Sequence, residues 1–473
     1  HPTPGGAAAS TAPVPGPVAA ARRMTFRRGL AAIALGGLVL RLIYAYAIVR
    51  SKPLLGDALE FQQQANLLAS GHGLIEPQVW LAQHVARPSA DKPPVYPLLE
   101  SVISAFGGRT WAWHDIVDLV AGTATIWVTG LLGHALGGSG GGGGSAIAID
   151  GRGARLGLIA AGIAAVYPLL IAADGSLRSE SVFALLVTLS LLCALRLRQD
   201  PSLRRAIALG FVIALAALTR SEGLLLLVLL PFGLAGWRRG LTSVVACVLV
   251  LSPWLVHSWV VFGQPVLIST NVGGLLAGAN CPQTYRGPLL GQWDLSCLPP
   301  ATVGVGGQTE SNEAVESDHL RDVGLRYARD HAGRLPVVIA ARIGRSFELF
   351  LPQQQWAMEA FFEGRSQKVE EAGVLVYYVV ALLAIAGTVL LWRRRGPWRI
   401  LLSPLVLVVF VSVTGYGFTR FRVGAEPALI VLAAVTLDTI AQRRWRSQCA
   451  DAPADRTCRA GGDSGGVVRG AAG

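Results

Sequence analysis

Charged residues are scarce in this 473-residue chain, with Asp, Glu, Lys and Arg making up 15% of it, where soluble domains carry about a quarter. With 52% hydrophobic residues and a mean hydropathy of +0.48, that shortage excludes a string of soluble domains. The apolar runs are too many and too long for soluble cores. Acids are scarcer still, 29 against 41 Lys and Arg, for a net charge of +12. A nucleic-acid partner does not follow, because the Arg residues form short clusters between apolar runs, as topology signals do. Among the six cysteines and eight histidines no spacing resembles a zinc site. The glycine run Gly137–Ser145 lacks a Lys-Ser/Thr pair and a preceding strand. That excludes a nucleotide-binding loop and leaves a flexible linker.

What is present predicts an all-α polytopic membrane protein with about ten transmembrane helices. The first apolar run is Gly29–Val49, followed by runs at roughly 113–136, 155–173, 181–197, 205–219, 223–236 and 241–262. After a long polar stretch come 371–391, 399–416 and 425–441. Arg22, Arg23, Arg27 and Arg28 place the N-terminus in the cytoplasm, and ten alternating spans then put Arg196–Arg205, Trp237–Gly240, Arg393–Arg399 and Arg443–Arg446 on that same side. Tyr96–Phe106 is too short to cross and reads as an interfacial or re-entrant helix. The expected organisation is a disordered, basic cytoplasmic N-terminus at 1–28 and a membrane domain at 29–262 containing an outer loop at 50–112. An extracytoplasmic loop at 263–370, transmembrane helices at 371–442 and a cytoplasmic tail at 443–473 follow. Residues 1–23 are Ala/Pro/Gly-rich, and Met24 stands before the first run as a natural start would. Abundant Ala, Gly and Arg suit a GC-rich bacterium, hence a plasma (inner) membrane.

The unusual polar residues gather on the outer side. The first outer loop holds Asp57, Glu60, Arg87, Asp91, Lys92 and Tyr96. Three short turns add Asp174, Arg178 and Glu180 (DGSLRSES), Arg220 and Glu222 (TRSEG), and Tyr416, Arg420, Arg422 and Glu426 (GYGFTRFRVGAEP). Arginine on the translocated side runs against the usual bias, and ionisable groups at a membrane boundary are costly enough to mark a substrate site. Converging arginines suit a phosphate or pyrophosphate head group, and carboxylates among them suit proton chemistry. A polyprenyl-phosphate sugar meets both needs, with its tail in lipid and its head at this depth.

The order of these features resembles the type-C glycosyltransferase superfamily, in particular the family-39-like group of protein O-mannosyltransferases and lipid A aminoarabinose transferases. The matching stretches are GDALEFQQQANLLASGHG at 56–73, KPPVYPLLESVISAFGG at 92–108, DGSLRSESVFALL at 174–186, LTRSEGLLLL at 218–227 and SPWLVHSWVVFGQPVLISTNVGGLLAGAN at 252–280. The resemblance implies transfer of a sugar, hexosyl or pentosyl, from a polyprenyl-phosphate donor to a hydroxyl acceptor on the extracytoplasmic face. The acceptor is an unspecified glycan, lipid or protein. In that family the acid after the first span is the catalytic base, a role that carries to Asp57. Some relatives have paired acids there, whereas here Glu60 follows a turn later as a second candidate. The family's contacts to donor phosphate carry to Lys92, Arg178, Arg220 and Arg420. Tyr96, Glu180 and Glu222 are expected to line the substrate cavity. No cofactor is indicated with certainty, and a divalent metal is left open.

Blander readings stand beside these. Asp57 and Glu60 also suit the N-cap and N3 positions of a capping box for a helix starting at Ala58. The Arg178–Glu180 and Arg220–Glu222 pairs suit helix-end anchors, and His257 suits a core position. Cys281 and Cys297 share the oxidising side and are expected to pair. Leu335–Leu351 reads as an amphipathic surface segment carrying Arg342 and Arg345. A transporter or flippase of a lipid-linked saccharide is the rival function, though no repeat or midplane charge favours it. Whole-cell cysteine labelling tests the sidedness: a probe at position 310 should react in intact cells, and reaction only after lysis would invert the topology.

Overall fold

The structure, a computed structural model, describes residues 17–138, 151–231, 236–298 and 312–451. Most of the glycine linker, the N-terminal segment to residue 16 and the tail beyond 451 lie outside the described residues. Among those described the chain is helical throughout, with one isolated bridge between Ile75 and Pro88. Six helices are long and apolar enough to cross a bilayer: Met24–Val49, Trp111–Gly137, Glu180–Gln199, Trp237–Phe262, Gln367–Arg393 and Thr419–Arg444. A seventh candidate is the pair Gly151–Val166 and Pro168–Asp174, bent by 59°. Pro168 explains the bend, since it has no N–H to donate and Tyr167 before it is forced extended.

The other three predicted runs are shorter helices. Leu203–Ala217 has 15 residues and Trp398–Thr414 has 17. Between Ser221 and Leu229 a 3-10 turn leads into a single α-turn, and residues 232–235 lie outside the described residues. The short pieces begin or end at turns where Arg220 and Phe418 are extended. These turns aim their charges inward, and the helix ladder stops where they do.

Apolar composition alone does not tell centre from rim. The Glu180–Gln199 and Thr419–Arg444 helices are buried over 78% and 89% of their most apolar windows, against 22% for Trp237–Phe262 and 28% for Met24–Val49. The rim helices turn Leu35, Leu249, Val260, Leu375 and Leu382 outward, where lipid would cover them. His257 is also on an exposed helix side, over Trp254, and is not a core residue. Small residues let backbones meet: a Cβ on Gly157 would come within 2.5 Å of the Gly130 carbonyl.

Over the site end of the bundle lie two loop layers. The first contains the helices Asp57–Ala69, Pro77–Gln83 and Val95–Ala105, the last showing Leu98, Leu99, Val102 and Phe106 outward. The second runs from 263 to 370 and carries the disulfide between Cys281 and Cys297. Arg87 joins the layers through Glu316 (2.6 Å) and Glu76 (3.1 Å), and Glu313 accepts the Ala90 N–H at 2.7 Å. Arg342 and Arg345 are not on a surface-lying amphipathic face. Both are buried in the helix Leu335–Ser346. Arg345 donates to the Leu290 and Pro288 carbonyls at 2.7 and 2.8 Å, and Arg342 reaches Ala279 and Asn280. They pin the disulfide-bearing segment, because carbonyls in a loop without helix or sheet need donors from elsewhere. Arg345→Ala should lower thermal stability by about 1–3 kcal/mol for each carbonyl left unsatisfied. A melting curve identical to that of the unaltered protein would show the loop is held by other contacts.

Candidate active site

Gly56, at φ +54°, turns the chain into the helix Asp57–Ala69. That backbone region suits glycine, which has no Cβ to clash. Gly56 is therefore the N-cap and Asp57 the first helical residue, with no side-chain capping bond from either. The capping-box reading is corrected by this geometry, because the Asp57 carboxylate points away from the helix end into a ring of cations. Lys92 Nζ lies 3.0 Å from Oδ1, while Arg178 and Arg420 reach Oδ2 at 2.9 and 2.7 Å.

Each cation is held from behind. Lys92 also meets Asp91 at 2.9 Å and Glu60 at 3.1 Å. Arg178 follows Leu177, itself in the left-handed region at φ 51°, so the turn throws the guanidinium back over the site. Its second nitrogen donates to the Phe362 carbonyl at 2.8 Å. Arg420 sits on the 3-10 turn Thr419–Ala425 and donates to the Tyr416 hydroxyl at 2.8 Å. Arg220 does not touch Asp57. It binds Glu180 at 2.8 Å and Glu222 at 2.6 Å, and Glu180 lies 3.8 Å from Arg420. Three cations from separate segments thus converge on one carboxylate, with Arg220, Glu180 and Glu222 one step behind.

The electrostatics follow from burial. The Asp57 side chain keeps 29% of its surface exposed while those of Lys92 and Arg178 keep 10% and 4%. Burial opposes the Asp57 charge, but Lys92, Arg420 and Arg178 together hold its carboxyl well below the usual range. For Lys92 the same burial is outweighed by Asp57, Asp91 and Glu60, which push its ammonium well above its ordinary value. Burial lifts Glu60 to about 7, with Lys92 opposing and Asp91 and Asp57 adding to the rise. The cluster is close to charge-balanced: Lys92, Arg178, Arg220 and Arg420 are all already paired. Any anion entering here must take cations from Asp57. A divalent cation does not suit the site, because both Asp57 oxygens are occupied by cations. Among the described residues no group of three or more His, Cys, Asp or Glu is placed to hold a metal.

Several expected or conspicuous residues lie elsewhere. Tyr96 does not line a cavity: it is fully buried, its ring edge-on to Phe61 and its hydroxyl donating to Asp118 at 2.8 Å. Arg422 and Glu426 form an interior pair at 2.5 Å, with the Tyr167 hydroxyl on the second Glu426 oxygen. Sequence reasoning missed Glu363, 3.9 Å from Arg420, and the buried Arg365 that binds Glu363 and Glu370. It also missed Arg41, which holds Asp174 at 2.6 Å. Arg41 had a visible signal, since it lies inside the first apolar run. A small cavity of about 20 Å³ lies beside the cage, lined by Lys52, Leu55, Ala58, Trp111, Leu177 and Glu363.

No family model matches the chain, and no curated protein matches it. Solved structures do. The oligosaccharyltransferase AglB from Archaeoglobus fulgidus, in complex with an inhibitory peptide and a dolichol-phosphate, superposes with a TM-score of 0.52 at 12% identity. That match covers 92% of this chain and 53% of AglB. The apo form of the Archaeoglobus fulgidus enzyme gives a TM-score of 0.51 at 16% identity, over 91% and 52%. The chain shares its fold with these oligosaccharyltransferases. It spans about half the length of these oligosaccharyltransferases. A weaker match, to ArnT from Cupriavidus metallidurans bound to undecaprenyl phosphate, has a TM-score of 0.39 at 16% identity over 88% and 79%, too low to add to the fold assignment.

The raised Glu60 carboxyl gives a pH test. Its folded value near 7 lies above the ordinary 4.5, so the folded state binds this proton more tightly. The associated stability is complete below about pH 4.5 and is lost as pH rises towards 7. Glu60→Gln cannot ionise, so its melting temperature should gain on the unaltered protein between pH 5 and pH 8. A difference that stays flat across that range would mean Glu60 is not held protonated.

Proposed function

We propose that this protein is a membrane glycosyltransferase that moves a sugar from a polyprenyl-phosphate donor to an acceptor hydroxyl on the extracytoplasmic side. The observation that carries this reading is the cage of Lys92, Arg178 and Arg420 around Asp57. Three donors that can converge on two carboxylate oxygens can also converge on a phosphate, and arginine does so bidentately. The fold supports the reading, as does the dolichol-phosphate in the AglB complex.

The chemistry is an inverting displacement. The acceptor oxygen attacks the anomeric carbon as the bond from that carbon to the phosphate oxygen breaks, and Asp57 takes the hydroxyl proton. Electrons of the broken bond remain on the polyprenyl phosphate, where Arg178, Arg420 and Lys92 stabilise the charge, so no general acid is needed. In the empty site those cations make Asp57 a poor base. Donor binding reverses this: the phosphate draws the cations away, and the Asp57 carboxyl rises towards a range in which it accepts a proton. The base is then active only when donor is present.

Asp57→Asn separates catalysis from charge balance. Transfer should fall about a hundredfold or more, the scale for losing a positioned base. Affinity for polyprenyl phosphate should hold or tighten, because the cations are no longer neutralised by Asp57. Reconstitution with synthetic polyprenyl-phosphate sugars measures both. Near-normal transfer by this variant would remove Asp57 as the base, and Glu60 would be next to test. Arg420→Ala should weaken the binding of the same donor, and unchanged donor affinity would place the phosphate elsewhere.

A further inference from the structure

The opposite boundary carries a second site. The helices Gln367–Arg393 and Thr419–Arg444 both begin beside the Asp57 cage and run away from it side by side. They touch closely where a Cβ on Gly387 would lie 2.0 Å from the Leu432 carbonyl, and where the Thr436 hydroxyl donates to the Leu383 carbonyl at 2.7 Å. Beyond that contact a groove of about 360 Å³ opens between them. Val389 and Leu390 form one wall, Thr436 and Ile440 the other, and Arg393 and Arg443 close its far end. On each helix the wall residues and the arginine recur at helical spacing, so an apolar stripe ends on a guanidinium. At 1.5 Å per residue, Arg443 lies roughly 35 Å along the helix from Arg420, about the thickness of a bilayer's apolar core.

The charge around this end is one-sided. Asp438 is already bound by Arg155 at 2.6 Å and Arg152 at 3.4 Å. Among the described residues no ion pair joins Arg393 or Arg443 to a carboxylate. Burial, with Arg152 and Arg443 adding to it and Asp438 opposing, lowers the Arg394 pKa. An open apolar groove between spans that ends in two unneutralised arginines is complementary to one class of ligand.

We infer that this groove holds an anionic membrane phospholipid, with an acyl chain against Val389, Leu390 and Ile440 and the head-group phosphate between Arg393 and Arg443. Bound there, it fastens the rim helix Gln367–Arg393 to the central helix Thr419–Arg444 where their direct packing ends. The inference does not depend on the reaction proposed for Asp57.

The test uses the full chain, delipidated in detergent, with phosphatidylglycerol or phosphatidylcholine added and retained lipid read by native mass spectrometry. Phosphatidylglycerol should be retained about tenfold or more over phosphatidylcholine, the scale of two arginines at a membrane surface. The double variant Arg393→Gln with Arg443→Gln should lose that preference. Val389→Trp fills the groove while keeping both arginines, and it should lower retention of phosphatidylglycerol. Equal retention of the two lipids by the unaltered protein overturns the inference without any variant. Undiminished preference in a folded Val389→Trp protein also overturns it, because surface charge alone would then account for binding.

Discussion

A single carboxylate, Asp57, is bonded to cations 35, 121 and 363 residues away in the chain. Taking charges out of water costs several kcal/mol each unless partners and hydrogen bonds replace the hydration. Neither Asp57 nor its three partners is tolerable alone at this depth. The first loop layer, the turn after the bent span and the turn at Thr419–Ala425 must therefore arrive together. The same demand extends outward, as Arg220 needs Glu180 and Glu222, and Arg365 needs Glu363 and Glu370. The site end of the bundle is organised by charge pairing as much as by apolar packing.

That constraint also shapes the chemistry. A site of free arginines would bind phosphate tightly but would repel itself when empty. In the reaction proposed above, a carboxylate that neutralises them keeps the empty site stable and would exchange partners when a phosphate enters. That exchange would couple donor binding to the proton-accepting power of Asp57. Burial differs in the direction this needs, since Asp57 keeps 29% of its side-chain surface exposed and the arginine behind it only 4%. The loop between 263 and 370 contributes from the other side, because the Phe362 carbonyl and Glu363 meet Arg178 and Arg420.

Below the charged layer the bundle follows ordinary membrane rules. Small residues bring helices together, apolar side chains face outward on the rim helices, and the helices at 180–199 and 419–444 form the centre. Polar groups there are paired inside the protein, as Arg41 with Asp174 and Arg422 with Glu426 show. The two ends of the helix at 419–444 carry arginines for different purposes: Arg420 faces the cage and Arg443 the groove.

How much of this could be read from the sequence depends on the range of the interaction concerned. Apolar runs fix their own helices through local length and composition, so the helical membrane class and most helix positions were legible. Charge at membrane boundaries is also a local pattern, and it singled out Asp57, Lys92, Arg178 and Arg420. Depth is not a local property. Helices of similar composition became centre or rim, and Leu203–Ala217 and Trp398–Thr414 stayed below crossing length, because packing partners decide which faces are covered. Tyr96 illustrates the same limit: its neighbours in sequence suggested a cavity wall, whereas Asp118 and Phe61, distant in the chain, buried it. The sequence by itself determined which residues are too costly to leave unpaired. Only the tertiary structure decided which partners pair with them, because that energy arises between segments hundreds of residues apart.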